Sequence, residues 1–296
     1  MQSGANLSID HVGLAIKRLD EGKSAFTRLG FTLSPRSDHS GSPGPGMPVV
    51  PWGSANHCAM FESGYFEIIG LVDAERFSSV KGLVAKYEGL HIVALRCDSA
   101  QAGFAALQER GVVADAPRVL ERDAAFGSTG SEVRRARFSN VYLNTEENID
   151  ARFIVIEHQT PEVIWQPHML SHENGAVALS VIYFTNEQLE PMSERLTKVA
   201  GAPLASASGR SIKLPEGGEF RVYSRAEFLE LVPFPLVSAP HRVAAAQIKV
   251  RSLKHLSELF KQRGVDARAH PDAITSQPSV WIGPADTCGT FLQFVE

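Results

Sequence analysis

One order of elements recurs along this chain and limits its fold more than any other feature. Residues 9–16 read as a strand rich in branched side chains, and Asp20 to Leu29 as a helix with Phe26 and Leu29 on its apolar side. Gly30 ends that helix and Gly30-Phe31-Thr32-Leu33 resumes extended structure. Ser34 to Gly53 holds five prolines and reads as a long excursion. His57 to Phe61 and Tyr65 to Leu71 follow as a hairpin turning at Glu62-Ser63-Gly64.

The order then returns. Residues 90–97 predict a strand, Ser99 to Arg110 a helix with Phe104 and Leu107 inward, and Gly111-Val112-Val113 a restart. Strands over 134–143 and 151–158 complete this pass. A third pass begins at 176–181 with a helix over 187–199. A fourth begins at 243–248, with a helix over 253–263 and strands at 280–282 and 290–294. Leu107-Gln108-Glu109-Arg110-Gly111-Val112 also agrees locally with Phe260-Lys261-Gln262-Arg263-Gly264-Val265.

The expectation is an α+β chain of four βαβββ modules, forming two paired-module domains with cup-shaped mixed sheets. Its 296 residues allow two domains at roughly 100–200 residues each. Pro161, Trp165 and Pro167 mark the break. The predicted division is residues 1–160, a linker over 161–175, and residues 176–296.

Composition excludes several classes. A net charge of −4 argues against a protein built around nucleic acid phosphates. No apolar run of about 18 residues is present, so no membrane helix is expected. The first residues, Met1 to Asn6, carry neither a basic nor an apolar leader segment. The three scattered cysteines, Cys58, Cys97 and Cys288, fit reduced thiols, so the expected location is cytoplasmic.

Alternation along strands decides which side chains share a face. His11, Gly13 and Ala15 lie together, and the apolar Val12, Leu14 and Ile16 must take the helix, so His11 faces the open side. Tyr65, Glu67 and Ile69 share a face of a later strand. His91 opens the first strand of module two, and Glu157 ends its last. A carboxylate inside an apolar strand costs several kcal/mol unless it is paired or bound to metal. Two imidazoles and two carboxylates form a set suited to Zn, Ni, Mn or Fe. Read separately, His11 is a hydrogen-bonded strand histidine, Glu67 a solvated edge residue, and Glu157 a partner of Arg152 or Arg137. His39, Asn56 and His57 sit near the expected cup mouth as substrate contacts, and Phe126 and Tyr142 as apolar lining. Alternation puts His158 on the face opposite Glu157 and outside the site, and Cys58 in the core.

The repeated βαβββ order with His11, Glu67, His91 and Glu157 resembles the vicinal oxygen chelate superfamily. Ile9-Asp10-His11-Val12-Gly13-Leu14-Ala15 and Tyr65-Phe66-Glu67-Ile68-Ile69-Gly70 resemble its glyoxalase-like group. The resemblance implies a divalent metal held by His11, Glu67, His91 and Glu157, with Glu157 or Glu67 moving a proton. It implies a lyase or isomerase acting on a small substrate with vicinal oxygens, and pairing into a homodimer. An Fe(II) ring-cleaving dioxygenase and a non-catalytic small-molecule binding protein are the alternatives. In the second half Ala176 and Ala244 stand where the histidines would be, and Gln293 near the last acidic position, so no second metal site is expected there.

Overall fold

A computed structural model describes residues 6–44, 46–205, 209–235 and 241–296. The leader reading of residues 1–5 therefore lies outside the described residues. Module one runs β1 (Ser8–Ile16), α1 (Leu19–Arg28), β2 (Ser37–Gly41), β3 (Val50–Met60) and β4 (Tyr65–Leu71). After a short helix α2 (Val80–Val84), module two runs β5 (Gly89–Arg96), α3 (Ala100–Glu109), β6 (Arg118–Phe126), β7 (Glu132–Tyr142) and β8 (Arg152–His158). Helix α4 (Pro161–Ile164) and a 3-10 turn (Pro167–Met169) lead into module three. That module has β9 (Ala176–Thr185), α5 (Leu189–Ala200), β10 (Ser211–Lys213), β11 (Glu219–Tyr223) and α6 (Arg225–Leu231). Module four has β12 (Val243–Val250), α7 (Leu253–Gln262), β13 (Ala267–Ala269), β14 (Val280–Ile282) and β15 (Phe291–Val295).

Three details differ from the sequence reading. The proline-rich excursion folds into a hairpin of β2 on the front of β3. Strand β6, absent from the expected pattern, pairs along its length with β7. Module three has two strands after its helix among the described residues, with α6 following where a third would stand.

All strands join one mixed sheet whose main path is β10-β11-β9-β12-β5-β1-β4-β3-β2. In the first half β1 lies parallel to β4 and antiparallel to β5, which lies parallel to β8. The second half repeats this, with β9 parallel to β11 and antiparallel to β12, and β12 parallel to β15. The halves meet along the sheet where Val243 pairs with Leu90.

Each module's principal helix ends on a glycine in the left-handed region: Gly30, Gly111, Gly201 and Gly264. A side chain there would be strained, which makes glycine the usual stop. The helices cover one sheet face, where Val12, Leu14 and Ile16 join Phe26, Leu29, Phe66 and Ile68 in a fully buried core. The opposite face of the first half curls around a cavity of about 1820 Å³.

Candidate functional site

The cavity lies mainly between modules one and two, with Arg225, His241 and Arg242 of the second half at its edge, and its floor carries His11, Tyr65 and Glu67. The expected face of β1 and β4 is therefore the face that opens on the cup. The ring of His11 stacks on Tyr65 with centroids 4.3 Å apart. Its Nε2 stands 3.9 Å from Glu67 Oε2, while the other carboxylate oxygen of Glu67 accepts a hydrogen bond from Asn56 Nδ2.

Asp10 organises this pair, and the sequence reading passed it over. Ile9 pairs with Leu95 and His11 with Ala94, so Asp10 is the extra residue of a β-bulge. Gly64, at a φ of 74°, approaches the carbonyl of Asp10 closely from the β3–β4 turn, and a Cβ there would meet that oxygen at 2.8 Å. The bulge frees Asp10 from strict alternation. Its Oδ1 lies 2.6 Å from His11 Nδ1 and its Oδ2 2.9 Å from His158 Nε2. Burial alone would raise this carboxyl's pKa, but the charge of His158 and hydrogen bonds from both imidazoles outweigh it and hold the group below the usual carboxylate range. Asp10 is thus a carboxylate, and both rings donate to it. His11 Nδ1 therefore donates to Asp10, and Nε2 is the ring nitrogen left toward the cavity. Nδ1 of His158 is buried with no partner. His158 lies on the face opposite Glu157, as alternation predicts, but that face bears on the site.

The other expected residues divide. His39, Asn56, Tyr142 and His91 line the cavity. His39 Nδ1 sits 3.1 Å from Ser54 Oγ. Burial makes His39 harder to protonate, Glu67 opposes this, and Arg122, Asp38 and Arg152 also act on it. His91 lines the cup at a distance from His11. It is the extra residue of a second irregularity, between the Gly13–Ile92 and Leu14–Leu90 pairs. Its Nε2 lies 2.9 Å from the Tyr87 carbonyl and its ring stacks on Tyr87 at 3.8 Å. Burial lowers its pKa to about 4.

Three expectations are corrected. Glu157 shares the helix-facing side of β8 with Phe153 and Val155, and its Oε2 accepts the Ala100 N–H at the start of α3 at 2.8 Å. His57 points away from the cup, its Nδ1 donating to the Ser34 carbonyl, while its neighbours Asn56 and Cys58 face inward. Phe126 lies under Arg134, whose guanidinium is 3.6 Å from the ring centroid, and does not line the cavity. Cys58 packs in the core with Met60 and Tyr65, as expected, where that cluster borders the cup, and burial and then Glu67 push its thiol far above the usual range.

The donor set tests the implied metal. His11 and Glu67 converge, while His91 is turned to a backbone carbonyl and Glu157 to the start of a helix. Among the described residues no group of three or more His, Cys, Asp or Glu side chains is arranged to hold an ion. Protein metal sites ordinarily use at least three such ligands. These residues do not fit the implied metal shell.

The segment between the halves also builds the site. Val163, Ile164, Gln166 and Met169 line the cup. Trp165 Nε1 donates to the Phe61 carbonyl at 3.0 Å, and Gln166 Nε2 to the Ala125 carbonyl at 2.9 Å.

Fold and cup together define the vicinal oxygen chelate class. A family model described as a glyoxalase-like domain matches residues 9–200, and the chain belongs to that family. Searching curated proteins finds no match. Among solved structures, a hypothetical protein from Staphylococcus aureus aligns at 12% identity and a TM-score of 0.59, covering 98% of this chain and 99% of its own. A mutant of 4-hydroxymandelate synthase from Streptomyces coelicolor aligns at 13% identity and a TM-score of 0.58, covering 98% of this chain and 92% of its own. A xylose isomerase-like TIM barrel/4-hydroxyphenylpyruvate dioxygenase fusion protein aligns at 11% identity and a TM-score of 0.58, covering 99% of this chain but 49% of its own. At these identities the likeness is one of fold. Among the described residues no helix is long and apolar enough to cross a membrane.

Proposed function

We propose that the chain is a glyoxalase-like enzyme that moves a proton on a small substrate with vicinal oxygens, in the manner of an isomerase or lyase. The observation that carries this reading is the buried Asp10 carboxylate 2.6 Å from His11 Nδ1, with the free His11 nitrogen on the cavity floor 3.9 Å from Glu67. A histidine oriented by a carboxylate and open to a cleft is the usual build of a general base.

His11 Nε2 takes the proton from the carbon beside a substrate carbonyl, and the C–H electron pair moves onto the carbonyl oxygen as an enolate. Asp10 stabilises the imidazolium that results, and His158 keeps Asp10 in place. Glu67, fixed by Asn56 beside the same nitrogen, can accept a hydrogen bond from a hydroxyl on the neighbouring substrate carbon. The proton then returns from His11 to the same or the neighbouring carbon.

Deuterium exchange tests the reading. In heavy water the protein should speed loss of the C3 proton signal of 2-oxo-4-phenylbutanamide, followed by NMR. His11→Gln should remove the acceleration, and Asp10→Asn should lower it about 10²-fold, the usual worth of a positioned base. Binding of this probe with no accelerated exchange would support a binding protein instead, and oxygen uptake with catechols a dioxygenase.

A further inference from the structure

Seven arginines line the first cup, and their pairing is uneven. Five have a carboxylate within 4.0 Å; Arg36 is held by Asp38 and Arg242 by Asp150, for example. Arg122 and Arg152 have none among the described residues. Arg122 lies 5.9 Å from the ring centroid of Phe138, and Arg152 5.9 Å from that of Tyr142. Both are half-buried. A guanidinium drawn partly out of water and set against a ring, with no anion beside it, is a ready receptor for one.

Their placement relative to the proposed base is specific. Arg152 pairs with Ile92, Ile92 with Gly13, and Gly13 with Glu67, so the cation and the floor carboxylate stand in one row across four strands. Between them Gly13 has no side chain and Ile92 presents only carbon. At about 4.8 Å per strand, the row spans about 14 Å along the sheet, before curling shortens it. Arg122 belongs to β6, opposite Ala136, which packs with Cys58 and Tyr65 beside His11. Module one thus supplies the proton-transfer pair and module two supplies the free cations. A substrate lying across the cup touches both.

We propose that the substrate is a carboxylate-bearing carbonyl compound of the 2-oxo acid class, its carboxylate held by Arg152 and Arg122 and its C3–H turned to His11. This rests on the proton-transfer reading for the orientation of the molecule, whereas the binding of the anion is read out separately. Such a compound carries its vicinal oxygens on adjacent carbons, one of them charged. The rings of Phe138 and Tyr142 under the two guanidiniums suit an organic anion with an apolar tail.

The test compares 2-oxo-4-phenylbutanoate with its neutral amide by calorimetric titration of the full chain. The acid should bind at least tenfold more tightly than the amide. Arg152→Gln and Arg122→Gln should each weaken the acid at least fivefold and leave the amide unchanged, with Arg152→Lys recovering part of the loss. Arg137→Gln, at a residue that pairs with Glu121 but does not itself line the cup, should change neither, and melting curves check that each variant is folded. Equal affinity for acid and amide, no binding of the acid, or a preference that survives both arginine variants would overturn the proposal. Displacement of the acid by equimolar inorganic phosphate would overturn the carboxylate assignment. His11→Gln should keep the preference while losing exchange. A wild type that prefers the acid but exchanges neither probe would therefore refute the proton-transfer reading alone.

Discussion

The two halves share a strand order, yet their cups hold opposite kinds of polar chemistry. In the second half Arg221, Asp272, Gln247 and Gln293 are all buried. Arg221 Nη1 donates to the Tyr183 hydroxyl at 3.0 Å and also to Asp272, and its Nε reaches Glu219 at 3.0 Å. Gln247 and Gln293 both donate to Asp272, at 3.1 and 3.2 Å. The other Asp272 oxygen accepts the Thr275 N–H at 2.8 Å. Burial raises the Asp272 carboxyl, but Arg221 and Thr275 outweigh it and bring the group down to about 2. The charges are closed on one another. In the first half a carboxylate is likewise shared between two donors, but one donor leaves a nitrogen open to a cavity, and two guanidiniums face the same cavity without an anion. A buried polar network satisfied by itself holds a fold in one arrangement; a site is where the same kind of network stops short.

The comparison can be broken at either end. The largest effect belongs to the closed cup. Asp272→Ala strands the Arg221 guanidinium inside the protein and should cost about 3–5 kcal/mol of stability, measured by denaturant unfolding. It should leave 2-oxo acid binding within twofold of wild type. A loss under about 1 kcal/mol would mean the second network is loosely held and the contrast is wrong.

Glu157→Gln gives a smaller change and sharpens the boundary of the first site. Losing a carboxylate at the start of α3 should cost about 1 kcal/mol. Deuterium exchange should be unaffected. A tenfold fall in exchange with the fold intact would return Glu157 to the chemistry.

A pH dependence also separates the two halves. Burial lowers the His91 pKa from 6.5 to about 4, assisted by His241 and Lys86 and opposed by the Tyr87 carbonyl. Burial also lowers those of His39, His172 and His241. Protonation then favours the unfolded chain. The stabilising contribution of neutral His91 is complete above pH 6.5 and is lost as pH falls toward 4. His91→Asn should flatten part of the stability curve in that window. The second cup's network has no histidine, so Asp272→Ala should lower the curve without changing its slope above about pH 5, where carboxyls are ionised in both states.

Much of this arrangement was legible in the sequence. The clean alternation of β1 and β4 put His11 and Glu67 on the open face, and the glycine stops marked the helix ends. The misses have physical causes. Strand β8 is apolar on both faces, from Phe153 through Ile156, so periodicity could not say which side Glu157 takes. Strand β6 is largely exposed and charged, from Arg118 to Asp123, and shows no alternation, so Arg122 lay in what read as loop. Asp10 escaped because a bulge suspends the two-residue period at that position, and no local residue preference announces a bulge there. His57 and Asn56 are adjacent in a regular strand, and only one of them could face the cup.

The segment from Pro161 to Met169 reads as the natural place to divide the chain, yet Val163, Ile164 and Met169 wall the first cup and Trp165 is bonded to Phe61. A cut after residue 160 would therefore remove part of the chamber along with the second half. Excision, duplication or transplantation of the active module has to carry this strap with it, and the repeat unit by which the chain is written is shorter than the unit by which it works.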